Sequence, residues 1–319
     1  MIVTVTLNAA IDRTLTVPNF RGGHRHRASG GLTLAGGKGR IVARALKTLG
    51  VPVVATGLAG GRTGERIIEE LANEAILNDF ARIHDESRTS TAVVDPTNGT
   101  HTEIYEWGPQ VRPEELDTLR EKLLYLCKGA EMVVLSGSLP RAVDDGFYGE
   151  LIRELGRRGL RVALDVEGEP LAQGIEAEPA LVSISQIAAE AVAGQEFHDE
   201  QDFVAGLETL AELGARNSLV TYDLGIFARV REEKRDRVFH VVPPELEVVS
   251  ALAAGDVMLG AFIAARIVEE RPLEDALREA AAAAWASKLQ LGAGRFDPRE
   301  AARLAADVQV VELAPSPAA

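Results

Sequence analysis

The sequence predicts an α/β fold of three layers, a mainly parallel sheet covered on both faces by helices. Two observations carry this: almost wholly apolar runs, such as IVTVTL at 2–7 and MVVLS at 132–136, and stretches of helical period between them, such as KGRIVARALKTL at 38–49. A strand without a polar face has to be covered on both sides, which is the habit of parallel sheets joined by helical crossovers.

Residues 2–7 read as the first core strand, with further strands at 53–58, 132–136, 161–165, 180–184 and 218–222. Helices are expected at 38–49, 64–74, 114–127, 147–156 and 200–213. Two segments break the rhythm, 13–33 and 90–106, each alternating polar and apolar residues; the second folds back at Asp95-Pro96-Thr97-Asn98-Gly99. Both read as antiparallel strands outside the main sheet, paired into a small β lid over one edge of the ligand-binding face. After Asp256 the chain is Ala-rich and helical through Gln290; residues 1–312 are expected to form one domain and 313–319 a disordered tail. Function should sit in the loops at the carboxyl ends of the strands.

Composition excludes several partners. With 34 Lys and Arg against 48 Asp and Glu the net charge is −14, so the surface as a whole repels nucleic acid and anionic membrane. The longest apolar stretches, at 257–267 and 280–286, are shorter than a bilayer span. The N-terminus carries neither a basic leader nor a cleavage site, and the lone Cys127 lies in an apolar helical stretch and makes no internal disulfide; both point to a cytoplasmic protein.

The junction Ala253-Ala254-Gly255-Asp256, directly before the apolar run at 257–265, is the strongest candidate for chemistry. A helix starting there aims its free N–H groups and positive dipole end at any anion above the turn, and small residues allow close approach. Asp256 would hold a carboxylate beside that anion, suited to taking a proton from an attacking hydroxyl. The alternative is that Asp256 merely caps the helix. Gly36, Gly37 and Lys38, inside Leu34-Ala35-Gly36-Gly37-Lys38-Gly39, open another helix and suit a polar or phosphorylated ligand. Asp12 follows the first strand, where a carboxylate can accept hydrogen bonds from vicinal hydroxyls. Ser138, in Ser136-Gly137-Ser138, leaves a core strand toward the same face.

Taken in order, these stretches, together with TGLAGG at 56–61 and EIYEWGP at 103–109, resemble the ribokinase-like PfkB carbohydrate kinases, most closely the branch of 1-phosphofructokinase and tagatose-6-phosphate kinase. The resemblance covers residues 1 to 312. It implies an α/β core with a β lid, ATP and Mg²⁺ as cofactors, and transfer of the γ-phosphoryl group to a hydroxyl of a phosphorylated ketohexose. Asp12, Gly36, Gly37, Lys38 and Arg88 would hold the sugar phosphate, with Ser138 nearby. Asp256 would be the base, and the backbone of Ala253, Ala254 and Gly255 would stabilise the transferring group. Ser183, Ser185, Thr221, Asp223 and Gly225 would face the nucleotide. No resident protein metal cluster is expected, and dimerisation through the lid, as in parts of the family, is.

The chain departs from the family pattern at several places. Ile41 replaces an Asn, Ser90 and Ala92 replace polar lid residues, and Ser185 and Ala188 stand where the family has Asn and Glu. Asp223 replaces a glycine of the nucleotide turn, Ala253 a glycine of the anion turn, and Val257 a small polar residue. An Asp close to a polyphosphate repels it by ~1–4 kcal/mol per nearby unit charge. These departures set a second reading beside the kinase: a relative that binds a sugar phosphate or another metabolite as a sensor or regulatory partner, without turnover.

Overall fold

The computed structural model describes residues 1–232, 235–250 and 252–313. The chain opens with β1 (Ile2–Thr6), then leaves the main sheet for β2 (Ala10–Thr16) and β3 (Gly30–Gly36). It returns through α1 (Lys38–Thr48), β4 (Val53–Gly60) and α2 (Gly61–Asn73) to two short strands, β5 (Leu77–Asn78) and β6 (Ala81–Ile83). A second excursion, β7 (Arg88–Asp95) and β8 (Thr100–Tyr105), precedes α3 (Pro113–Leu126), β9 (Met132–Ser136), α4 (Phe147–Arg157), β10 (Arg161–Asp165) and α5 (Glu169–Ile175). Then come β11 (Leu181–Ser185), α6 (Gln186–Ala193), α7 (Glu200–Leu213), β12 (Ser218–Tyr222), β13 (Gly225–Glu232) and β14 (Arg235–Val242). The chain closes with α8 (Ala254–Phe262), a π-helical turn (Ile263–Val268), α9 (Leu273–Lys288), α10 (Pro298–Ala305) and β15 (Gln309–Leu313).

The main sheet runs β15-β14-β13-β12-β11-β10-β9-β1-β4-β5, with β6 beside β4. From β5 to β12 all pairings are parallel. Period-two alternation explains the apolar runs: Met132 and Val134 of β9 enter one core while Val133 and Leu135 enter the other. α1, α8 and α9 cover the first face, and α3, α4 and α7 the second. β1 lies between β4 and β9, which the chain adds on opposite sides, so the crevice at its carboxyl end is the topological switch point where ligands bind in such sheets.

Several expectations are corrected. β13, β14 and β15 extend the sheet antiparallel; their mixed polar and apolar sequences lack the clean buried run that marks the interior strands. α5 and α6, of 7 and 8 residues, are too short to show a helical period. The lid is a four-stranded sheet, β3-β2-β7-β8, in which β2 and β7 are parallel and only the outer pairings antiparallel. It begins earlier than expected, so Asp12 lies within β2 rather than at the end of the first strand. The helical run after Asp256 is interrupted at 269–272, where Glu270 adopts φ 55° and Pro272 caps α9. Leu313, assigned to the tail, closes β15, while residues 314–319 lie outside the described residues. Cys127 is buried, and burial pushes its thiol up to about 12, as befits an unreactive core group.

Candidate active site

Two helix N-termini meet at the crevice. α1 and α8 pack closely because Gly260 lacks a side chain: a Cβ there would stand 2.9 Å from that of Ala45. α1 starts after Gly37, whose φ of 93° a side chain would strain. α8 starts after Ala253, in the left-handed region at φ 63°, ψ 19°, where its Cβ costs about 1 kcal/mol. Turning the chain there leaves the first N–H groups of α8, at Ala254 and Gly255, without intrahelical partners. Thr221, at the end of β12, stands against this turn, 3.8 Å from the position of a Cβ on Gly255.

Asp256 lies in the first turn of α8 and is 3% exposed. The N-cap position is Ala253, and Asp256 stands beyond it in the first turn. Its Oδ1 is 3.1 Å from Nζ of Lys38, the first residue of α1, and the same ammonium is 3.1 Å from Oδ1 of Asp165 at the end of β10. Burial pushes the Asp256 carboxyl up to about 7; Lys38 opposes this and the Asp165 charge adds to it. Burial also works to discharge Lys38, but the two carboxylates outweigh it and hold the ammonium well above its usual range. Apart from the Lys38 ammonium, the buried Asp256 Oδ1 meets no hydrogen-bond donor among the described residues.

Asp165 was not singled out from the sequence, where it reads only as the last residue of a strand; the signal was a carboxylate ending an otherwise apolar run, RVALD, at a carboxyl edge. Ser136 Oγ donates to its Oδ2 at 2.7 Å, and the Gly137 N–H donates to its backbone carbonyl at 2.9 Å. Lys38, expected among the sugar-phosphate contacts, sits between the two carboxylates.

Asp12 faces the crevice from β2, its carboxyl lying against Gly36, where a Cβ would fall 1.8 Å from its Cγ. Burial raises the Asp12 pKa, against the opposing charges of Arg40, Arg44 and Arg88. Arg44 is committed to Glu74, Ala35 and Ala293. Arg88 donates to the Asn8 carbonyl at 3.3 Å and lies over the Tyr105 ring. Arg40, a second residue missed from the sequence, is fully buried. Its Nη2 donates to the Ala10 carbonyl at 3.1 Å, while Nε and Nη1 have no partner among the described residues. Burial pulls its pKa down to about 9, which leaves the guanidinium charged at neutral pH. Ser138 accepts a hydrogen bond from Asn8 Nδ2 at 3.1 Å, tying the ends of β1 and β9 together. Under the lid Asp12 shares a small pocket with Ser90, Tyr105 and Leu252, so the lid's inner face reaches the segment that leads into the α8 turn.

The residues expected to face the nucleotide make sparser contacts. Ser183 is buried in β11, and Ser185 Oγ caps α6 by accepting from the Ala188 N–H at 3.3 Å. Thr221 Oγ1 donates to the Ile184 carbonyl at 3.3 Å. Asp223 lies exposed on the β12–β13 turn, and Gly225 permits close approach to Val241, whose carbonyl would stand 2.3 Å from a Cβ. No group of three or more His, Cys, Asp or Glu among the described residues could hold a metal by itself. Asp165, backed by Ser136, does fit the one-carboxylate share that Mg²⁺ takes when phosphates supply its other ligands.

A buried carboxylate at a helix N-terminus, a cationic bridge and a second carboxylate beneath a lid are an arrangement that can serve phosphoryl transfer to a hydroxyl. The sequence profile described as "pfkB family carbohydrate kinase" matches residues 3–299. The chain belongs to the pfkB family of carbohydrate kinases. Within it, the chain is 30% identical over 315 residues to a 1-phosphofructokinase of Rhodobacter capsulatus, covering 98% of both chains. It is 28% identical over 290 residues to a 1-phosphofructokinase of Borreliella burgdorferi, covering 91% of this chain and 92% of that one. Among solved structures, phosphofructokinase-2 from Escherichia coli in complex with substrates and products superposes with TM-score 0.87 at 26% identity, over 96% of this chain and 98% of that one. The three-layer ribokinase-like fold is the one predicted, and this PfkB chain is a sugar kinase by family. Nothing in these relatives supports the sensor reading. No helix among the described residues is long and apolar enough to cross a membrane.

Proposed function

We propose that this PfkB kinase transfers the γ-phosphoryl group of ATP, with Mg²⁺, to a hydroxyl of a phosphorylated ketohexose of the fructose 1-phosphate type. The observation that carries this is Asp256: a buried carboxylate at the first turn of a helix, paired through its Oδ1 with Lys38. Asp12 accepts hydrogen bonds from the sugar hydroxyls, while Arg88 and the buried charge of Arg40 favour the anionic end of the sugar. Asp256 takes the acceptor proton as the oxygen attacks. The N–H groups of Ala254 and Gly255 stabilise the negative charge on the group in transit. Lys38 holds Asp256 in place and remains protonated throughout. ATP binds on the side of Ser183, Ser185, Thr221, Asp223 and Gly225, and bound Mg²⁺, held through Asp165, supplies charge neutralisation of the phosphates.

The test is a phosphorylation panel over ketohexose phosphates with ATP and Mg²⁺. Turnover of a ketohexose phosphate that disappears in Asp256→Asn supports the reading. Saturable sugar-phosphate binding without any turnover refutes it in favour of a sensor.

We also infer a homodimer built through the lid. The outer lid strand β8 and the residues after it expose Ile104, Tyr105 and Trp107, at 57%, 62% and 87%, an apolar edge that self-association would cover. A related structure, also of E. coli phosphofructokinase-2, is described as tetrameric and inhibited, at TM-score 0.85 and 27% identity. Sedimentation should find a dimer that Trp107→Glu converts to monomer; a monomeric wild type removes the inference.

A further inference from the structure

At the end of the sheet opposite the active site, a cleft of about 770 Å³ opens between the end of α4 and the starts of β10, β11 and β12. Its rim carries Arg153, Arg157, Arg161 and Arg216 against one acid, Glu178. On a chain of net charge −14 this is a local inversion of sign. Its floor is apolar, made in part by Leu160, Val162 and Pro179.

Three of these four arginines make no ion pair among the described residues. Arg216 is paired with Glu178. Arg153, Arg157 and Arg161 have no carboxylate within 4.0 Å among the described residues. The acids around them are engaged elsewhere: Glu154 with Arg120 and Arg158, Glu131 with the N-terminal ammonium. Arg157 Nε donates only to the Arg153 carbonyl at 3.2 Å, and Arg161 Nε only to the Glu131 carbonyl at 3.3 Å. Arg153 and Arg157 stand four residues apart on one helix face, where like charges repel and work against the helix. The remaining guanidinium edges point to a ligand with several negative oxygens, since the fork of an arginine matches phosphate geometry. The cleft volume falls within the range of small-molecule sites.

We propose that this cleft binds a polyphosphate, free or as the phosphate tail of a nucleotide, with its phosphates bridging Arg153, Arg157 and Arg161. This site is independent of the catalytic crevice. β10 separates them, with Arg161 at one end and Asp165 at the other, about 13 Å apart at strand rise.

Calorimetric titration of the full chain with inorganic tripolyphosphate tests the proposal. Wild type should bind with sub-millimolar affinity that weakens with added salt. Arg153→Gln/Arg157→Gln should weaken it by at least about tenfold, and Arg161→Gln alone by a smaller factor. The affinity for fructose 1-phosphate should be the same in all three. A second equivalent of ATP, lost in the double variant, identifies the ligand class as a nucleotide; binding of tripolyphosphate but no second ATP identifies a simple polyphosphate. Equal tripolyphosphate affinity in wild type and the variants overturns the proposal, as does no binding by about 10 mM. Self-association lost in the double variant, with no polyphosphate bound, overturns it in favour of a second copy of this acidic chain as the occupant.

Discussion

The two halves of the active crevice are built differently. On the acceptor side, Asp256, Lys38 and Asp165 form a buried charge cluster set by two helix N-termini and a strand end. Across it, the side proposed for the nucleotide offers hydroxyls already bonded to backbone, at Ser185 and Thr221, and an exposed Asp on a turn. The first half is preorganised and has little freedom to drift, because its two buried carboxylates share one ammonium and losing Lys38 would leave both without a cation. The second half works through backbone shape, which tolerates substitution. The departures from the family pattern at Ser185, Ala188 and Asp223 fall in the tolerant half.

The contrast breaks most sharply at Asp256. Asp256→Asn should lower kcat by roughly 10²–10⁴-fold with the sugar-phosphate KM changed only a few-fold. Because burial holds the carboxyl near 7, it must lose a proton to act, so wild-type kcat should rise with pH through about 7 and level off above it. The sign for stability is opposite. A carboxylate whose folded pKa is raised contributes its cost above that value and none below the ordinary 3.8. Asp256→Asn should therefore raise Tm by roughly 3–8 °C at pH 8 and little at pH 4. A mutant with lower Tm at pH 8 would show that the Lys38 bridge outweighs the burial cost.

Asp165→Asn should lower kcat by roughly 10–100-fold and raise the Mg²⁺ concentration needed for half-activity. A change in kcat with no change in Mg²⁺ dependence would leave Asp165 a positioning residue for Lys38 alone. On the tolerant side, Asp223→Gly should lower the ATP KM by roughly 3–10-fold at low salt, with kcat unchanged and the gain fading as salt is added. Ala253→Gly should be the mildest, raising Tm by about 2–4 °C through relief of the left-handed Cβ, with kinetics within about twofold of wild type.

Much of the fold was legible because burial leaves a periodic signature. β9, β10 and β12 are apolar runs whose bounds need no tertiary information, and α7 shows its 14 residues plainly. The edge strands β13 to β15 and the parallel β2–β7 pairing carry no such signature, because strand direction and sheet edges are set by where the chain returns in space. At the site, Asp256 and Lys38 stood out beside glycine turns. Asp165 and Arg40 did not, since a carboxylate ending a strand and an arginine in a helix acquire meaning only from what folds against them.

By itself, the sequence determined the layered α/β class, the family and the turn that carries Asp256, since each is written in local composition, period or ordered motifs. Only the tertiary structure decided that Asp256 pairs with Lys38. It alone joined Asp165 to that pair and left Arg40 buried near Asp12. Electrostatic partnership depends on distance and burial, and residues 38, 165 and 256 become neighbours only when the sheet assembles.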